Sequence, residues 1–411
     1  MFLREIFGAK CQNTGMAVTK KVTAPKAKAA KAAEAKPSSN SSGKKSSGED
    51  IAGTVQRGGD LEPFQILAPD GKPVREDLIP DLEVVEHFYR RMGLLRHLDD
   101  RFLVLAKSQR LGTYAQFGGQ EASQLGSAAA LEPKDYMAPM YRSTGAMITH
   151  GWPLRNAIMY WRGHPEGWRM PDNLNILPVI ISIPGQYVHA AGAAMGLKAQ
   201  GSDAVCMTYI GEGGTSQGDF HIAVNFASAT NAPAVFVIEN NGWAISVPRA
   251  VQSKVDNLVR RSEGYGIPGY LVDGNDVLAV NHVAKKAVAD ARAGKGPSLI
   301  EQMTYRIRPH TTGDDPKAYR DETGDPKLWA ETRDPIQRVK KFLELEGRWN
   351  DDREVAMQAE IESEFNAALE AADQAPAPDP RAILEYAMVN PTPNLIAQQA
   401  ELEARIREAN A

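Results

Sequence analysis

Residues Gly211 to Asn241 read GEGGTSQGDFHIAVNFASATNAPAVFVIENN. An apolar run from Asp203 to Ile210 leads into Gly211, and a second, Ala234 to Ile238, ends at Glu239-Asn240-Asn241. Short apolar runs closed by glycine or asparagine predict buried parallel strands. Between them Phe220, Val224 and Ala227 fall at helical spacing, Asp219 lies near the helix start, and Asn231-Ala232-Pro233 ends it. The unit is βαβ, and the fold class is α/β. Ligands of open α/β sheets collect outside the carboxyl ends of strands, so Glu212 and Asn241, each just past a strand, can converge on one spot. A carboxylate with an amide oxygen suits Mg²⁺, which takes few protein ligands and completes its octahedron with water and phosphate oxygens. Gly211 and Gly213 let a diphosphate approach the backbone.

Two other readings compete. A glycine-rich corner after a strand is common and by itself weak support for a phosphate site. A dinucleotide fold is the sharper rival, because Glu239 stands where a ribose-binding acid would. Its third fingerprint glycine, however, would fall at position 216, which is Ser216. No Gly-Lys-Ser/Thr phosphate loop occurs either.

The Gly-Glu-Gly corner with Asn240-Asn241 at this distance resembles the thiamine-diphosphate motif, usually Gly-Asp-Gly and then Asn-Asn. GPSLIEQMTYRIRPHTTGDDPKAYR, Gly296 to Arg320, resembles the active-site loop of the alpha subunits of branched-chain 2-oxo acid dehydrogenase decarboxylases. GGQEASQLGSAAAL at Gly118, MYRSTGAMITHGWPL at Met140 and LVDGNDV at Leu271 extend the similarity over about Glu62 to Trp349. The resemblance implies a thiamine-diphosphate-binding fold, a mainly parallel sheet flanked by helices with a helical C-terminal extension. It implies Mg²⁺ held by Glu212, Asn241 and the backbone carbonyl of Trp243, with Gly211 and Gly213 lining the cofactor. Tyr141, Arg142 and Arg306 match diphosphate contacts; guanidinium forks bind such oxygens bidentately. In IISIPGQYVHAAGAAMG, Ile183 falls at the position that wedges between the cofactor's rings, with Ser182 beside it, although a buried strand-loop-helix core accounts for the same residues.

His310, in the turn-rich stretch RIRPHTTGDD, is the expected residue for proton handling or for orienting substrate and lipoyl group. A lone loop histidine is usually just solvated; the surrounding match reverses that expectation. Arg306 and Arg308 against Asp314 and Asp315 are expected to order the loop once cofactor binds. Thr311 stands where related animal enzymes carry a phosphorylated serine; a phosphate there would repel an anionic substrate. Glu212 departs from the usual Asp, and Glu239 would repel phosphates unless it turns away. The family's two-subunit members take the carboxylate that activates the cofactor from a beta subunit. No second cofactor-binding domain is read here, so activity is expected only in a heterotetramer of two alpha and two beta chains. The acyl group then passes to a lipoyl-bearing acyltransferase core. Oxidative decarboxylation of branched-chain 2-oxo acids is the expected reaction, with the pyruvate or acetoin enzyme as alternative and a non-catalytic dinucleotide binder as a remote one.

At 411 residues and 43% hydrophobic content the chain can bury a large α/β core. A net charge of -4 gives no reason to expect a nucleic-acid partner for the body. Only Cys11 and Cys206 occur, the latter inside an apolar strand, so no disulfide framework is read and a reducing compartment fits. No apolar run reaches the ~18 residues of a membrane span. Residues 1–50 read as a disordered Ala/Lys/Ser-rich tail. Mitochondrial presequences favour arginine, and none lies between Arg4 and Arg57, so the expected location is bacterial cytoplasm, with the mitochondrial matrix as alternative. Residues 51–81 form an extended lead-in, 82–333 the cofactor-binding domain and 334–411 a helical region expected to pack on a partner subunit. Within them, Leu82 to Ala106 reads as a helix with Val85, Phe88, Met92, Leu95 and Leu98 on one face. Asp276 to Ala293 reads as another, capped by Asn275 and ended by Gly294, and leads to a strand at Ser298 to Thr304.

Overall fold

The computed structural model describes residues 61–385 and 387–409. Its strands are β1 (Tyr136–Ala138), β2 (Asn175–Ile176), β3 (Cys206–Gly211), β4 (Ala234–Asn240), β5 (Trp243–Ala244), β6 (Val247–Pro248), β7 (Gly269–Asp273) and β8 (Ser298–Met303). Its helices begin with α1 (Leu82–Lys107), α2 (Glu121–Ala128), α3 (Thr144–His150), α4 (Leu154–Trp161), α5 (Gly185–Ala199), α6 (Gly218–Thr230), α7 (Arg249–Gln252) and α8 (Arg261–Tyr265). They continue with α9 (Val277–Arg292), α10 (Asp325–Thr332), α11 (Pro335–Leu345), α12 (Asp351–Asp373), α13 (Ala382–Glu385) and α14 (Pro393–Ala409).

Six strands make one parallel sheet in the order β2-β1-β3-β4-β8-β7, and β5 with β6 forms a separate antiparallel hairpin. The expected βαβ unit is β3, α6 and β4, in register from Cys206 against Ala234 to Gly211 against Glu239. β4 runs past Ile238 because Glu239 and Asn240 pair with Gln302 and Met303 of β8. Asn231 closes α6 in the left-handed region (φ 51°), which asparagine tolerates better than most residues.

Alternation sorts the strand residues onto two covered faces. Val205, Met207, Tyr209, Val235 and Val237 share a core with α1, α2 and α9. Cys206, Ile210, Phe236 and Ile238 pack with α5 and α6. Burial on both faces is why these strands read as unbroken apolar runs. Cys206 is a fully buried thiol without a disulfide; Cys11 and the 1–50 tail lie outside the described residues, as do residues 51–60 of the lead-in.

The helix at α1 covers the expected span, with Val85, Phe88, Met92, Leu95 and Leu98 buried. The cap of α9 is Asp276, not Asn275. Asp276 Oδ1 accepts from Leu278 N and Ala279 N at 3.1 and 3.2 Å. Its Oδ2 accepts from Ile66 N and Leu67 N at 2.7 Å, tying the lead-in to the fold. Asn275 instead accepts from Thr304 Oγ1 and donates to Arg333 O. Phe64 bridges to Val272 at the β7 edge.

The helices after residue 333, expected to pack on a partner subunit, are also part of this chain's own fold, with α11 and α12 against α1. Ile336, Val339, Phe342, Met357, Ile361 and Phe365 belong to the same core as the sheet. They form a third layer of this chain, and only the far end, α13 and α14, buries none of its residues within the described structure.

Candidate active site

The carboxyl ends of β3 and β4 open onto a cavity of about 570 Å³. The corner after β3 turns through a short helical stretch, Glu212–Ser216, before α6 begins. Gly213 and Gly214 make that turn possible. A Cβ on Gly213 would stand 2.7 Å from Ala244 Cβ, and one on Gly214 would stand 2.3 Å from Ile210 Cδ1 and 2.6 Å from Ile183 Cγ2. Glu212 is buried at the end of this strand, where its Oε2 accepts from Asn241 N at 3.2 Å. Its Oε1 has no partner. Burial raises the Glu212 carboxyl to about 7.

Asn241 continues β4, and its main-chain carbonyl accepts from Arg306 N at 3.0 Å, an extension of the β4–β8 ladder that carries Arg306 to the site. Arg142 arrives from β1, on the turn before α3. Both guanidinium groups are buried. Arg142 Nη2 lies 3.0 Å from His310 Nδ1 and donates to His310 O at 2.9 Å, while Nη1 donates to Gln116 O. Arg306 Nη1 lies 3.1 Å from the same His310 Nδ1, and Nη2 donates to Ile245 O (2.7 Å) and Tyr319 OH (3.0 Å). Ile245 adopts φ 57°, a conformation that costs a β-branched residue strain, at the point where its carbonyl meets Arg306. Among the described residues no carboxylate pairs with either arginine within 4 Å.

A guanidinium only donates, so His310 Nδ1 is the acceptor and a neutral ring carries its proton on Nε2. Burial, followed by Arg142 and Arg306, lowers His310 to about 3. The ion pairs of Arg306 and Arg308 with Asp314 and Asp315 are expected of the cofactor-bound loop; here other contacts hold it. Asp314 Oδ2 accepts from His310 N (2.7 Å) and Tyr319 OH (2.6 Å), Asp315 caps a short helical turn, and Arg308 pairs with Asp100 of α1 at 2.5 Å. Tyr141 meets the His310 ring edge-on at 6.0 Å.

Of the residues singled out from sequence, Tyr141, Arg142, Ile183, Gly211, Glu212, Gly213, Asn241, Trp243 and His310 line the cavity, as does Thr311. Arg306 stands behind them, on His310. Ser182 is exposed and outside the wall; its carbonyl accepts from Gly185 N at the entry to α5. Glu239 does turn away. It is fully buried, Ser123 Oγ of α2 donates to its Oε1 at 2.8 Å, and burial raises it to about 7, so near neutrality a proton removes much of its repulsion. Sequence reading did not single out Ile181 and Ile245, which line the cavity, and quoted the stretch that forms α2 only for its resemblance, giving no role to its eight residues, all of them buried. The exposed hydrophobic Ile181 carried no periodic signal. The helical spacing of the polar residues Gln120, Ser123, Gln124 and Ser127 was the available clue to α2.

Two buried cations without acids, facing one carboxylate oxygen without a partner, are out of balance by charge and by hydrogen bonding. An anion bridged by a divalent cation restores both. Among the described residues no three His, Cys, Asp or Glu side chains form a metal cluster, so a metal here depends on ligand oxygens as well. The fold and site thus define a parallel-sheet protein with a cavity at the strand ends whose buried cations suit an anionic, phosphorylated ligand. Residues 89–381 match the family model described as dehydrogenase E1 component, and the chain belongs to that family. The chain is 45% identical over 345 residues to the "Pyruvate dehydrogenase E1 component subunit alpha" of Staphylococcus aureus, covering 83% of this chain and 92% of that one. The protein of the same name from Staphylococcus epidermidis is 44% identical over the same shares. Membership makes the chain a 2-oxo acid dehydrogenase component and implies thiamine diphosphate, whose diphosphate fits the unpaired arginines. No described helix is long and apolar enough to cross a membrane.

Proposed function

We propose that this chain is the alpha-type subunit of a thiamine-diphosphate-dependent enzyme that decarboxylates pyruvate and passes the acyl group to a lipoyl-bearing acyltransferase. It works with a beta subunit in a two-alpha, two-beta assembly. The observation that carries the reading is the pair Arg142 and Arg306, buried without acids opposite the free Glu212 oxygen. The relatives' names favour pyruvate over the branched-chain acids expected from sequence. A branched-chain acid stays as the second reading, supported by the apolar side chains of Met140, Trp161, Ile181 and Ile183 in the cavity wall.

When bound, the thiazolium ring supplies the electron sink that no side chain offers for the carbanion left by loss of CO₂. This chain supplies position and charge. Glu212, Asn241 and the Trp243 carbonyl would hold Mg²⁺, Arg142 and Arg306 would hold the diphosphate, and Ile183 would support the rings. Neutral His310 keeps a proton on Nε2 and offers it as a hydrogen-bond donor to the substrate. Purifying the chain with its beta partner and measuring decarboxylation of pyruvate against 3-methyl-2-oxobutanoate tests the reading. Cofactor-dependent turnover preferring pyruvate supports it; preference for the branched acid moves the chain to the second reading, and no turnover with either refutes both.

A further inference from the structure

An asparagine amide presents two ends of equal size to a cation, and only the oxygen binds it. At Asn241 the choice is made by neighbours on both sides. Trp243 N donates to Oδ1 at 3.3 Å, and Nδ2 donates to Gln120 Oε1 at 3.2 Å. Turning the Asn241 amide over would face Nδ2 toward the Trp243 main-chain N–H and, with Gln120 as it stands, put Oδ1 against an acceptor oxygen, two like-for-like contacts in a buried place. Gln120 is itself fully buried, at the residue before α2. Its Oε1 is committed to Asn241, and its Nε2 is left buried without a partner. A buried amide that leaves a donor unsatisfied in order to accept from Asn241 needs a reason.

The rest of α2 shows the same orientation toward the site. Gln124 Nε2 donates to Arg142 O at 3.0 Å, and Gln124 Oε1 accepts from Ala146 N of α3 at 3.2 Å. Ser123 meets Glu239. The Gln120 backbone is anchored in turn, because its main-chain carbonyl accepts from Ser123 Oγ at 2.9 Å and from Gln124 N at 3.2 Å.

We propose that Gln120 is a positioning residue that fixes the Asn241 amide with its oxygen toward the metal, so that α2 sets the metal affinity of a site it does not itself line. The inference rests on the metal role of Asn241 proposed above. Partners one step behind metal ligands typically change affinity by about 10–100-fold when removed.

The test uses the alpha–beta complex with thiamine diphosphate and reads Mn²⁺ binding by electron paramagnetic resonance. Gln120→Met keeps the volume and removes the acceptor; Mn²⁺ affinity is expected to fall about 10–100-fold while the thermal midpoint of the cofactor-free complex moves little. The discriminating arm is the Asn241→Asp background, where both ends of the side chain are oxygens and orientation no longer matters. There Gln120→Met is expected to cost less than about threefold, an interaction between the two sites that a double-mutant cycle isolates. Equal losses in both backgrounds would make Gln120 a packing residue and overturn the proposal, whether or not the variants lose stability. Unchanged affinity in the single variant would overturn it as well. Wild-type complex that binds no Mn²⁺ would instead refute the metal reading on which it rests.

Discussion

Arg306→Met separates a binding arginine from a structural one. The guanidinium makes two hydrogen bonds of its own, to Ile245 O and Tyr319 OH. Losing them costs about 1 kcal/mol each. Against that, its Nη1 and Arg142 Nη2 both lie within 3.1 Å of one imidazole nitrogen. Two charges about 6 Å apart at an effective dielectric near 20 repel by about 3 kcal/mol, and removing one of them relieves that repulsion along with the burial that already lowers Arg306. The two effects nearly cancel, so the cofactor-free complex is expected to keep its stability to within about 1–2 kcal/mol. The bound state has no such compensation. Charge-assisted contacts to phosphate oxygens are worth about 1.5–3 kcal/mol each, so thiamine diphosphate affinity should fall by about 10–150-fold at 1.4 kcal/mol per decade. Calorimetric titration reads the affinity and a denaturant series reads the stability. Affinity within threefold of wild type would refute the diphosphate role. So would a loss of stability beyond about 4 kcal/mol, which would mean that Arg306 is a structural residue.

Three further outcomes follow from the same geometry. His310 should stay neutral throughout pH 5–8 in the cofactor-free complex, as read by the chemical shift of its Cε1, and added inorganic diphosphate should move its midpoint upward by neutralising the arginines; a midpoint near 6.5 without ligand would contradict the contacts at Nδ1. Glu212 is raised to about 7, so Mg²⁺ must displace its proton in acid, and metal affinity should climb about tenfold per pH unit below 7 and flatten above it. The sign is opposite for metal-free stability. An acid raised in the folded state contributes fully below its ordinary value near 4.5, and that contribution is lost as pH rises through 7, visible as a thermal midpoint that falls less in a Glu212→Gln variant than in the wild type. Gly214→Ala places a methyl 2.3 Å from Ile210 and 2.6 Å from Ile183; overpacking of this kind costs about 1–3 kcal/mol, and cofactor binding should weaken with it, since Ile183 must give way. Unchanged cofactor affinity would show that the corner tolerates a side chain.

Sequence made the central unit legible because β3, α6 and β4 are local and each is punctuated by residues with one dominant preference, Gly211, Asn231 and the Asn240-Asn241 pair. Residues just past strand ends were legible for the same reason: topology alone carries Glu212 and Asn241 to a common edge. What did not show was set by contacts between distant segments. Asp276 rather than Asn275 caps α9 because its second oxygen is engaged by Ile66 and Leu67, more than 200 residues earlier. The region of α11 and α12 reads as helical and packing on a partner, and nothing local says that its apolar face meets α1 of the same chain. Arg308 sits among acids in sequence yet pairs with Asp100. The role of Gln120 was invisible because an amide–amide contact across 121 residues leaves no pattern.

The most direct test titrates thiamine diphosphate, and separately thiamine, into the purified alpha–beta complex with and without Mg²⁺. Tight binding of thiamine diphosphate only when Mg²⁺ is present, with thiamine bound weakly in either case, is the result expected of a site built from Arg142, Arg306, Glu212 and Asn241. Equal binding of the two ligands, or binding indifferent to the metal, would contradict it.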